Sequence, residues 1–136
     1  MAPRHGRGGT NVHEIMNRAL FVLACSILLP ACSGPVAGNL PEGEPYVRGP
    51  IESIDHRATA SGILVAAGPG SREACGISAT ADSDTRYFRR TAAGQITPAA
   101  VGDLVIGDTV EVYVEGPVAE SCPVQGYAAA IVILGG

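Results

Sequence analysis

From residue 46 onward, short apolar runs alternate with turn residues. The clearest run is DTVEVYVEGPVAES, in which the valines of residues 110–114 alternate with Glu111, Tyr113 and Glu115. A period of two puts alternate side chains on opposite faces, so this segment predicts a strand with its valine face on a core. The last segment, GYAAAIVILGG, is apolar at nearly every position, which predicts a central strand buried on both faces.

Three earlier segments carry the same signature of apolar positions bounded by Gly, Pro, Asp and Ser: YVRGPIESIDHR, SGILVAAGPGS and ACGISATADSDTRYF. No stretch of ten residues shows a helical stripe. A single helical turn is predicted over Thr97–Val101, because Thr97 can cap it and Pro98 fits the first helical position. Five short strands with one helical turn between the third and fourth predict a small, closed or nearly closed all-β barrel.

Two Gly-Asp pairs, Gly102-Asp103 and Gly107-Asp108, flank the sequence LVI just before the fourth predicted strand. Glycine allows a positive φ, and aspartate bonds to its own nearby backbone. The pairs therefore predict turns rather than metal ligands.

A short apolar run near the start of the chain follows Arg18 and ends in small residues. Its eleven residues, 19–29, are too few to cross a bilayer as a helix, which takes about 20. A charged start, an apolar middle and a small-residue exit predict a secretory signal. The exit, Leu-Pro-Ala-Cys, resembles the lipobox of bacterial lipoproteins, with Pro30 in place of the preferred small residue. This resemblance implies a signal over residues 1–31 and a lipid on Cys32; the alternative is a non-lipidated signal cut nearby.

The domain organisation follows from the same region. Met16, followed by Asn and Arg, would make a compact signal start, so it is an alternative to Met1 as the start of translation. After the lipidated cysteine, residues 33–45 contain three prolines and three glycines without apolar periodicity. This composition predicts a flexible tether over residues 32–45, followed by one folded domain over residues 46–136.

The charge of the exported part excludes several partners. Without residues 1–31, six arginines and no lysine face twelve carboxylates, a formal charge of −6. Nucleic-acid binding rests on neutralising phosphates, so no nucleic-acid partner is predicted. Electrostatic attraction to anionic lipids is equally unfavourable. Attachment to a membrane must come from acyl chains, several of which anchor stably.

Two cysteines, Cys75 and Cys122, remain in the exported part once Cys32 is assigned to the lipid. Export favours disulfides, and a small domain poor in aromatic residues gains from a covalent link. A disulfide between them is therefore predicted. The alternative is a redox or metal site, which lacks a second nearby thiol and has only His56 available. No metal and no cofactor are predicted.

The segments GPIESID, GILV, DTRYF and VGDLVIGDTVEVYVEGPVAESCPVQGYAAAIVI together resemble small exported OB-like domains of bacterial lipoproteins, the YobA-like group, a DUF3221-type family. The resemblance covers about residues 46–134 and implies a five-stranded OB-like barrel. Its motifs are turn and core positions, so it implies a fold and no catalytic residue. Cys122 stands where the resemblance leads us to expect an aromatic residue, which agrees with a disulfide particular to this branch.

The sharpest local feature is DTRYFRR, in which arginines alternate with aromatic residues. OB barrels bind single strands on aromatic platforms in a positive groove, but the acidic domain and its compartment argue against that role. Aromatic residues and arginine are also enriched at protein interfaces. The predicted contact residues are Arg86, Tyr87, Phe88, Arg89 and Arg90; the alternative is an exposed strand end whose arginines pair with carboxylates.

Two further features are weaker. Asp82 and Asp84 share a strand face, but a calcium site needs six to eight oxygens. His56 beside Asp55 has no nucleophile motif such as G-x-S-x-G nearby, and a triad is defined by geometry. No enzymatic activity is predicted.

The sequence as a whole predicts a lipid-anchored envelope protein whose OB-like domain docks another envelope protein without chemistry of its own. The alternative is a binder of a glycan or small ligand. Ser33, after the lipidated cysteine, lacks the aspartate associated with inner-membrane retention. In a cell with two membranes, the periplasmic face of the outer membrane is therefore the predicted location.

Overall fold

A computed structural model describes residues 39–135, which form seven β-strands and one 3-10 turn. The predicted signal peptide, Cys32 and the first part of the predicted tether lie outside these residues. The strands are β1 (Val47–His56), β2 (Ser61–Val65), β3 (Ile77–Ala81), β4 (Arg86–Arg90), β5 (Ile96–Pro98), β6 (Thr109–Ala119) and β7 (Val124–Leu134). The described part of the chain contains no helix that could span a membrane.

Five of the strands close into a barrel in the order β1-β2-β3-β7-β6. All neighbours are antiparallel except β3 and β7, whose parallel pairing completes the closure. A bulge between Ile51 and Ser53 divides β1 into two halves. The first half pairs with β6 and the second half pairs with β2. The predicted all-β, five-stranded OB-like barrel is confirmed.

The barrel interior is filled by aliphatic side chains at alternate positions of each strand, as the period-two pattern requires. Ile51, Ile63, Ile77 and Ile131 are all at most 1% exposed, and alanines fill the narrower places. The predicted central strand, β7, pairs with β3, β4 and β6. The valine face of β6 packs on this core.

The outside of the barrel differs from the prediction. The sequence predicts that DTRYF ends the third strand, whereas a turn at residues 82–85 separates β3 from a new strand, β4. β4 pairs with the second half of β7 and forms a hairpin with β5. The resulting second cluster on the outside of the barrel, here called the outer cluster, consists of Phe88, Tyr113, Ala130 and Val132. Glu111 and Tyr113 are consequently buried rather than exposed.

The helical turn lies later than predicted. Thr97 and Pro98 belong to β5, and the 3-10 turn spans Val101–Asp103. Pairing of Pro98 with Phe88 places these residues in the hairpin. The backbone N–H of Ala100 donates to Asp103 Oδ2 at 2.8 Å and helps hold the turn.

The disulfide between Cys75 and Cys122 is present, with its Cα atoms 5.2 Å apart. Cys75 lies two residues before Ile77, and Cys122 lies two residues before Val124. Ile77 and Val124 form the first pair of the parallel β3–β7 ladder. The backbone N–H of Val124 also donates to the carbonyl oxygen of Gly76 at 3.2 Å. The disulfide therefore extends the seam that closes the barrel.

The predicted tether overlaps the folded domain. Leu40 packs against the outer cluster, and Arg86 Nη1 donates to the carbonyl oxygen of Asn39 at 2.7 Å. Residues 39–45, assigned to the tether from their Pro and Gly content, thus include contacts to the barrel.

The two Gly-Asp pairs provide a matched test of turn chemistry. Gly107 has a φ of +95°, which favours glycine, whereas Gly102 lies in the 3-10 turn without a positive φ. A Cβ at either position would meet no atom within 4 Å. We expect Gly107→Ala to lower the free energy of unfolding by about 1 kcal/mol through backbone strain alone, with Gly102→Ala neutral or slightly stabilising. Urea denaturation of both variants checks this, and equal effects would contradict it.

Candidate functional site

The five residues predicted to contact a partner form β4, and the strand divides them between two faces. Arg86, Phe88 and Arg90 share the face of the outer cluster, and Tyr87 and Arg89 share the other. Phe88 is 3% exposed inside that cluster. It is therefore a packing residue, and the five side chains do not form one continuous surface.

Arg90 is held by a buried carboxylate. Its Nη1 donates to Glu111 Oε1 at 2.9 Å, and Glu111 has a side chain only 4% exposed. This contact agrees with the alternative in which arginines at the strand end pair with carboxylates. The hydrogen bond with the Glu111 carboxylate raises the pKa of Arg90 above its usual value.

Two further groups contact the same carboxylate. The Tyr113 hydroxyl donates to Glu111 Oε2 at 3.3 Å, and Arg48 Nε lies 3.8 Å from Oε1. Burial, together with the charge of Glu111, raises the pKa of Tyr113. We call Arg48, Arg90, Glu111 and Tyr113 the charge cluster; it connects β1, β4 and β6 on the outside of the barrel.

A second candidate site is an open cleft of about 480 Å³ at one end of the barrel, here called the barrel-end cleft. It lies between the β1–β2 turn, the β3–β4 turn and the segment before the 3-10 turn. Its polar lining is Arg57, Thr59, Ser61, Asp82, Ser83, Thr85 and Tyr87. Burial, with a smaller effect of the Asp82 charge, raises the pKa of Tyr87. The cleft thus offers several hydroxyl groups and one half-buried aromatic ring.

His56 lies beside this cleft and next to a serine, an arrangement that matches only part of a catalytic triad. His56 Nδ1 lies 3.2 Å from Ser61 Oγ, but Asp55 Oδ2 accepts a hydrogen bond from Arg57 Nε at 2.8 Å. Asp55 thus pairs with arginine and not with the histidine. Within residues 39–135, no carboxylate is hydrogen-bonded to this His–Ser pair.

The aspartates considered for calcium make a turn. Asp82 Oδ1 accepts the backbone N–H of Asp84 at 2.9 Å, and the backbone N–H of Asp82 donates to Thr85 Oγ1 at 3.0 Å. This arrangement explains the break between β3 and β4. Within residues 39–135, no group of three or more His, Cys, Asp or Glu side chains is placed to hold a metal ion.

A third candidate is an exposed aliphatic turn between the 3-10 turn and β6. Val105 is 58% exposed and Ile106 is 61% exposed, while Leu104 beside them enters the core. The turn is fixed by two backbone hydrogen bonds, from Asp108 to Val105 at 3.0 Å and from Gly107 to Ile51 at 2.9 Å. We call Val105 and Ile106 the aliphatic turn.

Sequence reasoning missed both the charge cluster and the aliphatic turn. The sequence LVI was a visible signal: three aliphatic residues between two Gly-Asp turns cannot all face one small core. Glu111 offered no such signal, because its burial depends on contacts with side chains of other segments on the outside of the barrel.

A comparison of the chain with protein-family models gives no match, and neither does a comparison with curated proteins or with solved structures. The fold assignment therefore rests on the strand order and the closure of the barrel.

Proposed function

We propose that this protein is an exported, lipid-anchored module that docks another envelope protein through the aliphatic turn and has no catalysis of its own. The proposed export and membrane attachment rest on the sequence: an apolar signal through Ala31 and a lipid-bearing Cys32. The resemblance to YobA-like lipoprotein domains supports the same export and attachment. The periplasmic face of the outer membrane is the proposed location in a cell with two membranes.

The observation that carries the docking proposal is the exposure of Val105 and Ile106 together at the tip of one turn. Single exposed aliphatic residues are common on soluble proteins, whereas clusters of them mark interaction sites. The two backbone hydrogen bonds hold the tip in place before any partner arrives. Such preorganisation reduces the entropy lost on binding.

The charges around the aliphatic turn support a partner of one chemical kind. Asp103 and Asp108 flank it in the sequence, and the exported part carries a formal charge of −6. An apolar tip with an acidic border complements an apolar pocket bordered by lysine or arginine. The proposed occupant is therefore a protein surface of that kind and not an anionic membrane.

The experiment is cross-linking in living cells with the full chain tagged at its C-terminus. We expect one envelope protein to be enriched by the wild type and reduced about tenfold or more by the double substitution Val105→Ser, Ile106→Ser. The matched control is Tyr127→Ser, which removes an equally exposed side chain, 61%, elsewhere on the barrel. Cys32→Ser should move the protein from the membrane fraction to the soluble fraction.

Retention of the partner by the double variant would overturn the assignment of the turn. An empty capture from cells in which the cross-linker works would overturn the docking function. In that case the barrel-end cleft provides the second candidate, a glycan or small-ligand site, because hydroxyl groups and an aromatic ring suit a sugar. Binding of soluble oligosaccharides that depends on Tyr87 would support it.

A further inference from the structure

The charge cluster contains one more positive charge than its buried carboxylate can neutralise. Glu111 receives hydrogen bonds on both oxygens, from Arg90 and from Tyr113. Arg48 Nε, at 3.8 Å, is close enough for attraction but too far for a hydrogen bond. No side chain within residues 39–135 accepts a hydrogen bond from the Arg48 guanidinium. The Arg48 side chain is 43% exposed, so the N–H groups of its guanidinium are accessible to another acceptor.

Arg48 lines a second cleft, of about 390 Å³, on the outside of the barrel. The other lining residues are Gly49, Pro50, Gly68, Pro69 and Thr109. Its volume is in the range of small-molecule sites, roughly 300 to 1,000 Å³. Two proline rings give it apolar walls, and the Thr109 side chain adds a hydroxyl group beside the arginine. We call it the Arg48 cleft.

The loop between β2 and β3 fixes the position of Arg48. The backbone N–H of Arg48 donates to Ser71 Oγ at 2.9 Å, and Ser71 Oγ donates back to the Arg48 carbonyl at 2.8 Å. Gly70 has a φ of +87°, and a Cβ there would lie 3.6 Å from Arg48 Nη1. The Arg48 backbone is thus held in place, and Arg48 Nη1 lies beside Gly70; the fixed backbone lowers the entropy lost when an acceptor binds.

We propose that the Arg48 cleft binds the oxyanion group, carboxylate or phosphate, of a small ligand of about the size of a monosaccharide. The arginine fork matches either group with two parallel hydrogen bonds. The surplus positive charge is local, and salt screens the acidic remainder of the domain over about 8 Å at physiological ionic strength. The proposal is independent of the docking function assigned to the aliphatic turn.

The test is an NMR titration of the isotopically labelled full chain carrying Cys32→Ser. The probes are glucuronate for the carboxylate, glucose 6-phosphate for the phosphate and glucose as the neutral control, at constant ionic strength. We expect saturable shifts of the amide signals of Gly49, Gly68 and Thr109 with either or both anionic probes, and none with glucose. Which anion binds more tightly identifies the ligand class.

Arg48→Gln should weaken this binding about tenfold or more, the effect of losing a charged bidentate contact. Arg48→Lys retains the charge without the fork and should weaken it less. Arg72→Gln, the matched control, removes an exposed arginine of the loop between β2 and β3 that does not line the Arg48 cleft, and it should leave the affinity unchanged. Glu111→Gln keeps the side-chain shape but raises the local positive charge, so it should tighten binding; a merely structural arginine would not respond this way.

Three results would overturn the proposal: no saturable shift with either anion, equal shifts with glucose, or unchanged affinity in Arg48→Gln. The dispersion of the amide spectrum shows whether each variant is folded. If Arg48→Gln is unfolded, Arg48→Lys and Glu111→Gln decide the matter, because their predicted effects on affinity have opposite signs.

Discussion

Replacing both Cys75 and Cys122 by serine is expected to lower the free energy of unfolding by about 4 kcal/mol. The two residues are 47 positions apart, and a link closing a loop of that length restricts the unfolded chain strongly. Both side chains are exposed, so serine leaves no cavity in the core. The loss therefore reflects chain entropy and not packing. Urea denaturation of the double variant against the oxidised wild type measures it.

The reduced wild type is the control for this substitution. It should unfold with the same free energy as the double-serine variant, because reduction removes the same link and leaves the same surface. A loss below about 1 kcal/mol in both would mean that the unfolded chain is already confined by residual structure. A loss in the variant alone would show that the serines disturb the native loops.

The position of the link makes the effect specific to barrel closure. The β3–β7 pairing is the parallel, long-range contact that turns an open sheet into a barrel, and Cys75 and Cys122 stand just ahead of it. Long-range pairings form late because the loop must close first. In an oxidised chain that refolds, the link has already closed this loop, so we infer that it favours the correct register of β3 on β7.

Glu111→Ala should lower the free energy of unfolding by about 3 kcal/mol. Removing one partner of a buried charge pair costs about 3–5 kcal/mol because the other charge is left uncompensated. Here Arg90 and Tyr113 lose their hydrogen-bond acceptor and Arg48 loses a nearby opposite charge, but the arginine side chains are 30% and 43% exposed and partly rehydrate, which favours the lower end. Urea denaturation measures the loss.

Glu115→Ala is the matched control, since Glu115 lies on the same strand and is exposed. It should change the free energy of unfolding by no more than about 0.5 kcal/mol. A cycle that combines Glu111→Gln with Arg90→Gln then separates the pair interaction from the rest. Equal effects of the two alanine substitutions would contradict a role of the charge cluster in holding β4 on the barrel.

Much of the barrel could be predicted because its signals are local. The alternation in β6 correctly placed its valine face on the core, and the apolar run in β7 correctly predicted a strand with neighbours on both sides. Burial on both faces of β7 holds for residues 130–133 but not for Tyr127, which is 61% exposed. The disulfide followed from the predicted export of the domain and from the pair of cysteines left after Cys32. In contrast, the break after β3 depends on side-chain hydrogen bonds of Asp82 and Thr85 that a periodicity reading does not include.

The remaining misses depend on tertiary contacts. Thr97 and Pro98 have the composition of a helix start, but pairing with β4 places them in a hairpin. Alternation in β6 correctly placed Glu111 opposite the valines without revealing that side chains from β4 and from the segment before β1 pack on that side. Consequently the contact surface predicted at residues 86–90 contains a packed phenylalanine and a paired arginine, and the aliphatic turn was found only from its exposure.

The contact of Asn39 and Leu40 with the barrel has a consequence for how far the domain reaches from a bilayer. If Cys32 carries the lipid as proposed, seven residue steps separate it from Asn39, and a fully extended chain of that length covers at most about 25 Å. This is shorter than the thickness of a bilayer with its headgroups, about 40 Å. The near edge of the barrel would stay within about 25 Å of the leaflet that holds its lipid, so the docking partner proposed above would be sought at that same surface.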